Sequence, residues 1–518
     1  MNKVQVISAQ EAALLVQNED TLVTSGFVGN CIPEALNKAL EARFVETGQP
    51  RNLTYFYPAS QGDRSGTTGG DHYAHEGLVK RVIVGHYATA PKLGELCLAN
   101  KCEAYNLPQG VLTYLLRDMA GNRPGTITHV GLDTFVDPRN EGGKVNSRTT
   151  EDLVSLIEID GKERLFYKTF PVNVAFLRGT YADEMGNVTL EKEPTTTEVT
   201  SIAQAVHNHK GTVIVQVEKV VQAGTLDPRL VKIPGIYVDA VVVASPEDHE
   251  QSIGQPFNPA MCGIVKEPVG EVEKMLPLSA KKIIARRAAM ELRQNTVVNL
   301  GVGAPEYIAQ VAREENIGSY MALTVESGVV GGIPQAGPRF GSSLNPDAII
   351  DQPYQFDFYD GGGLDMAFLG LAECDKAGNI NVSKFGPKLP GCGGFINITQ
   401  NAKSVFFCGT FTAGKLQTRI VDGMLKIVEE GTKQKFIEQV EQVTFSGKYA
   451  VRTGQRVLYI TERCVFELTP EGLCLLEIAP GMDLKRDILE QMEFQPQILD
   501  QISLMDSRLF REEKMGLA

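Results

Sequence analysis

A single carboxylate, Glu326, stands between an apolar, β-branched run (Leu323, Thr324, Val325) and a glycine-rich stretch (Gly328, Gly331, Gly332). Such a run reads as a buried parallel strand. Glu326 then falls at its carboxyl end, where open α/β sheets bind ligands, and the glycines let another backbone or a ligand come close. A carboxylate so placed can be a nucleophile, a base or a solvated loop charge; spacing alone does not choose. Gly301, Val302 and Gly303 follow a second strand pattern and precede a helix whose first position suits Pro305. Their backbone N–H groups are candidates to hold an oxyanion. A dinucleotide fingerprint is disfavoured, because Glu306 stands where its third glycine belongs. A third loop, Gly391, Cys392, Gly393, Gly394 and Phe395, offers amides to the same oxyanion or to a thioester, or is a plain turn. Gln109, after Pro108, has a side-chain amide that can hold a substrate carboxylate or make a structural hydrogen bond. The seven histidines show no metal spacing; His207 and His209 read as helix-end caps, and His72 and His75 carry no clear message. No G-x-S-x-G, Walker A or H-E-x-x-H motif occurs.

The elements that must position these residues come in two sets. The stretch 174–189 and the stretch 366–381 share an A-F-L strand running into a D-x-x-G-N turn, with Ala175, Asp183, Gly186 and Asn187 matching Ala367, Asp375, Gly378 and Asn379 at constant spacing. Their openings also correspond. Ser8 and Glu11 form a capping-box signal, and Ser279 opens a second helical run. The strand pattern from Thr21 stands beside that from Thr296, and Leu53 to Phe56 beside Leu323 to Glu326. On this alignment Phe56 is the counterpart of Glu326, so the halves are duplicated in fold and divergent in chemistry. The proline-rich stretch 245–277 reads as the connection between an N-terminal half (1–244) and a C-terminal half (278–518). Apolar runs at Val213–Val217, Ile236–Val243, Val405–Cys408 and Val457–Ile460 alternate with helical patterns, the signature of α/β layers.

With 518 residues the chain can hold two to four domains, and 22% charged residues is ordinary for a globular protein. No apolar run reaches membrane-span length, and the first residues lack a secretory pattern. Nine scattered cysteines without C-x-x-C suit buried thiols in a reducing cytoplasm better than disulfides or a zinc site. A net charge of −13 argues against nucleic acid as partner.

Taken together, Glu326 to Gly328, Gly301 to Gly303, Gly391 to Phe395, Thr134 to Pro138 and Tyr459 to Arg463 resemble the family I CoA-transferases, single-chain propionate (acetate) type, over nearly the whole chain. The resemblance implies two similar open α/β/α sandwich halves, like those of the ribose-5-phosphate isomerase and glucosamine-6-phosphate deaminase group. It implies a carboxylate nucleophile, placed on Glu326, with Gly301, Val302, Gly303, Gly393 and Gly394 at the oxyanion or CoA and Gln109 at the substrate carboxylate. Coenzyme A is then a substrate, with no metal and no resident cofactor. The implied partners are acyl-CoA and short-chain acids, with neither nucleic acid nor membrane, and the implied assembly is a homo-oligomer, a tetramer being suspected. Three rival readings stay open at this point: an acyl-CoA hydrolase on the same scaffold, a ligand-sensing module and a sugar-phosphate isomerase.

Overall fold

Ser8 caps the first helix as the spacing predicts: its hydroxyl accepts from the Glu11 N–H at 3.1 Å and the Glu11 carboxylate accepts from the Ser8 N–H at 2.8 Å. Ser279 does the same work at the second helical opening, accepting from the Lys282 N–H. The computed structural model describes residues 3–268, 270 and 275–518. Residues 269 and 271–274 of the expected connection therefore lie outside the described residues.

The chain forms two compact units. The first holds residues up to Glu267 together with two later excursions, Val325–Asp357 and Lys384–Asn397; the second holds Pro268–Thr324, Phe358–Ser383 and Ile398–Ala518. Compactness thus groups Glu326, Gln109 and the Gly391–Gly394 loop in one unit, and leaves Gly301–Gly303 in the other.

In the first unit eight strands form one parallel sheet: β1 (Gln5–Val6), β2 (Thr21–Thr24), β3 (Leu53–Tyr57), β4 (Val79–Val84), β5 (Glu103–Asn106), β6 (Val174–Arg178), β7 (Thr212–Val217) and β8 (Ala240–Val243). Their spatial order is β1-β8-β7-β6-β2-β3-β4-β5. Both faces are covered. Leu22 and Val23, Tyr55 and Phe56, Val82 and Ile83 are all buried, which is why these strands read as continuous apolar runs rather than alternations. The sheet turns back on itself between β6 and β2, so the loops leaving those two strands meet at a topological switch point. The expected strand over Ile236–Val243 is shorter: Gly235–Tyr237 is a 3-10 turn and only Ala240–Val243 pairs. The Pro234 before the turn has no N–H to give a ladder.

The second unit repeats the pattern with β9 (Thr296–Leu300), β10 (Met321–Val325), β11 (Met366–Gly370), β12 (Ser404–Cys408) and β13 (Arg456–Ile460). Its sheet continues through β14 (Cys464–Thr469), β15 (Gly472–Ile478) and β16 (Gln497–Leu504). Among these strands the order is β10-β9-β11-β12-β13-β14-β15-β16, parallel as far as β13. The duplication extends to single hydrogen bonds. Asp183 Oδ1 accepts from the Asn187 N–H at 3.0 Å and Asp375 Oδ1 from the Asn379 N–H at 3.0 Å. Each asparagine then returns its amide to the other carboxylate oxygen at 3.0 Å. The Gly186 and Gly378 that close these turns have φ of 86° and 76°, where a Cβ would be strained.

Sheet register corrects one alignment made from the sequence. In the first unit Leu22 pairs with Val174 and with Tyr55; in the second, Val298 pairs with Met366 and with Leu323. Tyr55 is therefore the counterpart of Leu323, and the residue matching Glu326 is Pro58, not Phe56. The apolar runs look alike at either register, and only the ladder distinguishes them.

Candidate active site

Glu326 is the first residue after β10, partly exposed, on a turn closed by the Gly328 N–H donating to the Val325 carbonyl at 3.1 Å. Gly328 has φ +104°, and a Cβ there would lie 2.0 Å from the Ile350 carbonyl oxygen. Only glycine lets the two backbones approach this closely. The Ile350 N–H in turn donates to the Gly328 carbonyl at 2.9 Å. The fully buried Ser327 is held at both ends: its hydroxyl donates to the Gly341 carbonyl at 2.5 Å, and its carbonyl accepts from the Thr195 hydroxyl at 2.7 Å. The expected carboxylate at a strand end is thus a side chain on a tightly clamped turn.

The segment carrying it is also fastened to the loop that leaves β2 at the switch point. Asn30 Nδ2 donates to the Phe340 carbonyl at 2.8 Å, the Gly29 N–H donates to the Pro338 carbonyl at 3.2 Å, and the Phe27 and Phe340 rings stack with centroids 6.1 Å apart.

The Gly391–Gly394 loop lies against the carboxyl ends of β4 and β5. Asn106 Nδ2 donates to the Val84 and Gly85 carbonyls, and its Oδ1 accepts from the Cys392 N–H at 2.9 Å. The Gly393 N–H donates to the Gly85 carbonyl at 2.7 Å, and its carbonyl accepts from the Gln109 N–H at 2.9 Å. The structure therefore brings Gln109 and Gly393 together. It also moves Gln109 from a loop to the first position of helix α1 (Gln109–Ala120), and buries it. Its Nε2 is buried with no partner among the described residues. The Gly393 N–H is thus spent on the fold. In the other unit the Gly301 N–H is likewise spent, on the Phe368 carbonyl at 2.8 Å. Val302 is exposed there, and Gly303, at φ +96°, faces open space.

Sequence reading missed His86. A Cβ at Gly393 would lie 3.3 Å from its Cδ2, and its Nδ1 is buried with no partner among the described residues. Burial, reinforced by the Arg64 charge, pushes this imidazole down to about 4, so it is neutral at pH 7. A lone histidine outside any motif gave no signal. His72 proves structural: its Nε2 meets Glu34 at 2.8 Å and its Nδ1 meets Glu41 at 2.5 Å, and His75 meets Glu41 at 2.7 Å. All nine cysteines are free thiols. Among the described residues no helix is long and apolar enough to cross a membrane.

Comparison with known proteins bears on this arrangement. Residues 6–244 match the family model described as coenzyme A transferase. The chain is 46% identical over 516 residues to the acetate CoA-transferase YdiF of Escherichia coli K12, covering 99% of this chain and 96% of that one. It is 48% identical over 517 residues to the caffeate CoA-transferase of Acetobacterium woodii, covering 99% and 98%. The crystal structure of the YdiF acyl-CoA transferase of E. coli O157:H7 in a thioester complex with CoA superposes with a TM-score of 0.93 at 46% identity, covering 99% of this chain and 97% of that one.

Proposed function

This chain belongs to the coenzyme A transferase family, and on that premise we propose that it moves CoA between a short-chain acyl-CoA and a free carboxylate of the acetate or propionate class, with Glu326 as the covalent carrier. The observation that carries the assignment is the clamped turn: a partly exposed carboxylate at a strand end, on a backbone held through Ser327 and Gly328.

The chemistry needs neither redox nor metal. The Glu326 carboxylate attacks the acyl-CoA carbonyl, forming a mixed anhydride and releasing CoA thiolate. The thiolate attacks the glutamyl carbonyl, giving a glutamyl-CoA thioester and the free carboxylate of the donor acid. An acceptor carboxylate attacks the thioester, regenerating an anhydride and thiolate. Attack of that thiolate on the new acyl carbonyl yields the new acyl-CoA and restores Glu326. The carrier resembles the acids it exchanges, so the thioesters nearly match in energy and one hard exchange becomes several easier ones.

Each attack passes through a tetrahedral oxyanion. We assign its stabilisation to the amide of Gly394, worth about 3–4 kcal/mol if such a donor is lost. Gln109 is assigned to the substrate carboxylate, and CoA is a substrate rather than a resident cofactor. A cytoplasmic homo-oligomer completes the reading.

The test is intact-protein mass after adding propionyl-CoA without an acceptor acid, on the wild type and on Glu326→Gln. A gain of one CoA less one water on the wild type alone supports the carrier. Rapid CoA release without an adduct points to hydrolysis, and retained exchange in Glu326→Gln overturns the assignment.

A further inference from the structure

The glycine loop has a twin. In both halves the strand after the D-x-x-G-N turn leads through a loop into a helix: α2 (Val199–Asn208) in the first and α4 (Phe395–Asn401) in the second. Gly393 and Thr197 occupy matching places just before those helices, with φ of +51° and +47°. Each carbonyl accepts at 2.9 Å from the N–H of a glutamine that opens another helix. For Gly393 this is Gln109 of α1; for Thr197 it is Gln352 of α3 (Gln352–Asp360). Both glutamine side chains are buried, and in each the amide nitrogen has no partner among the described residues. Where one loop continues with Gly394, the other continues with Glu198.

The twin loop has exchanged amide display for side-chain clamping. A β-branched residue at positive φ is strained, and it persists only where its surroundings hold it. Here the surroundings are the catalytic turn. The Thr195 hydroxyl donates to the Ser327 carbonyl at 2.7 Å and accepts from the Thr197 N–H at 3.3 Å. The Thr195 carbonyl accepts from the Cys31 thiol at 3.1 Å, which ties it to the switch-point loop. The Thr196 hydroxyl donates to Asp351 Oδ1 at 2.7 Å, one residue beyond the Ile350 that holds Gly328. Thr195, fully buried, therefore joins the switch-point loop to the residue after Glu326.

We infer that Thr195 is a positioning residue for the transfer reaction, holding the Glu326 backbone in register for attack through the Ser327 carbonyl; this rests on Glu326 being the carrier.

The experiment compares Thr195→Val, which keeps shape and loses the hydroxyl, with Thr195→Ser, which keeps the hydroxyl, and with the smaller Thr195→Ala. It reads kcat, KM for acyl-CoA, the single-turnover rate of adduct formation and the melting temperature. Valine and alanine should each lower kcat and the adduct rate about tenfold or more, as a displacement on the order of 1 Å does. KM should stay within about twofold, and serine should restore the rate. A normal adduct rate in Thr195→Val overturns this inference alone. Equal losses in Val and Ser that track the melting temperature also overturn it, leaving a structural role. A wild type that exchanges CoA with no adduct on Glu326 overturns the carrier reading, and this inference with it.

Discussion

The N–H of Gln109 is donated to the carbonyl of Gly393 at 2.9 Å, while the Gln109 side-chain nitrogen is buried beside that glycine with no partner among the described residues. An unmade hydrogen bond of this kind costs about 1–3 kcal/mol. On the assignment proposed above, a substrate carboxylate would supply the missing acceptor. Gln109→Leu should therefore lower kcat/KM for the acceptor acid by about tenfold, the equivalent of about 1.4 kcal/mol, without loss of thermal stability. Steady-state kinetics with varied acetate or propionate reads this, and an unchanged kcat/KM would return the side chain to a purely structural role.

Gly393 is constrained three times: by φ +51°, by His86 3.3 Å from where a Cβ would sit, and by hydrogen bonds from both sides of its peptide. Gly386 in the same segment has the same φ, but a Cβ added there would meet nothing within 4 Å. The left-handed conformation alone costs a non-glycine residue about 1–2 kcal/mol. Gly386→Ala should show only that modest loss in melting temperature and near-normal exchange. Gly393→Ala should lose exchange far beyond its loss of stability, since the loop must shift from Gln109 and His86. Equal behaviour of the two variants would detach Gly393 from the site.

Glu198 is fully buried, and neither carboxyl oxygen has a partner among the described residues. Burial, then the nearby Asp351 carboxylate, pushes it from 4.5 up to about 8. The folded protein thus holds a proton that the unfolded chain has released. The favourable contribution is complete below pH 4.5 and is lost as pH rises through about 8. Glu198→Gln should gain on the wild type across that window, by on the order of 4 kcal/mol at its upper end. Parallel stability curves from pH 4.5 to 8 would mean that Glu198 ionises freely in the folded protein.

His72 runs over a different window. Burial lowers its basicity, but Glu34 and Glu41 outweigh burial and raise it from 6.5 to about 9. Its stabilisation is complete below pH 6.5 and is lost as pH rises through about 9, by on the order of 3 kcal/mol. Glu41 reports the same interaction from the acid side, held down to about 2 by His72 and His75 against its own burial. His72→Ala should melt lower than the wild type at about pH 6, and the gap should close by about pH 10. A gap independent of pH would indicate a neutral His72.

Local chemistry determined much of this protein by itself. The capping serines, the duplicated D-x-x-G-N turns, the buried parallel strands and a carboxylate between a strand and glycines all depend on residues close in the chain. They keep their signatures in a linear reading. The pairing of Gln109 with Gly393, the clamp from Thr195 to Ser327, and the place of His86 depend on residues brought together across the chain. Register was decided in the same way. Phe56 and Pro58 each follow a tyrosine, and only the ladder pairings Leu22 to Tyr55 and Val298 to Leu323 show which of them answers to Glu326. The grouping of 325–357 and 384–397 with the N-terminal residues is likewise a tertiary fact. A hydrogen bond or a sheet register joins residues at no fixed separation, so no local pattern can announce it, whereas a cap or a turn is complete within a few residues.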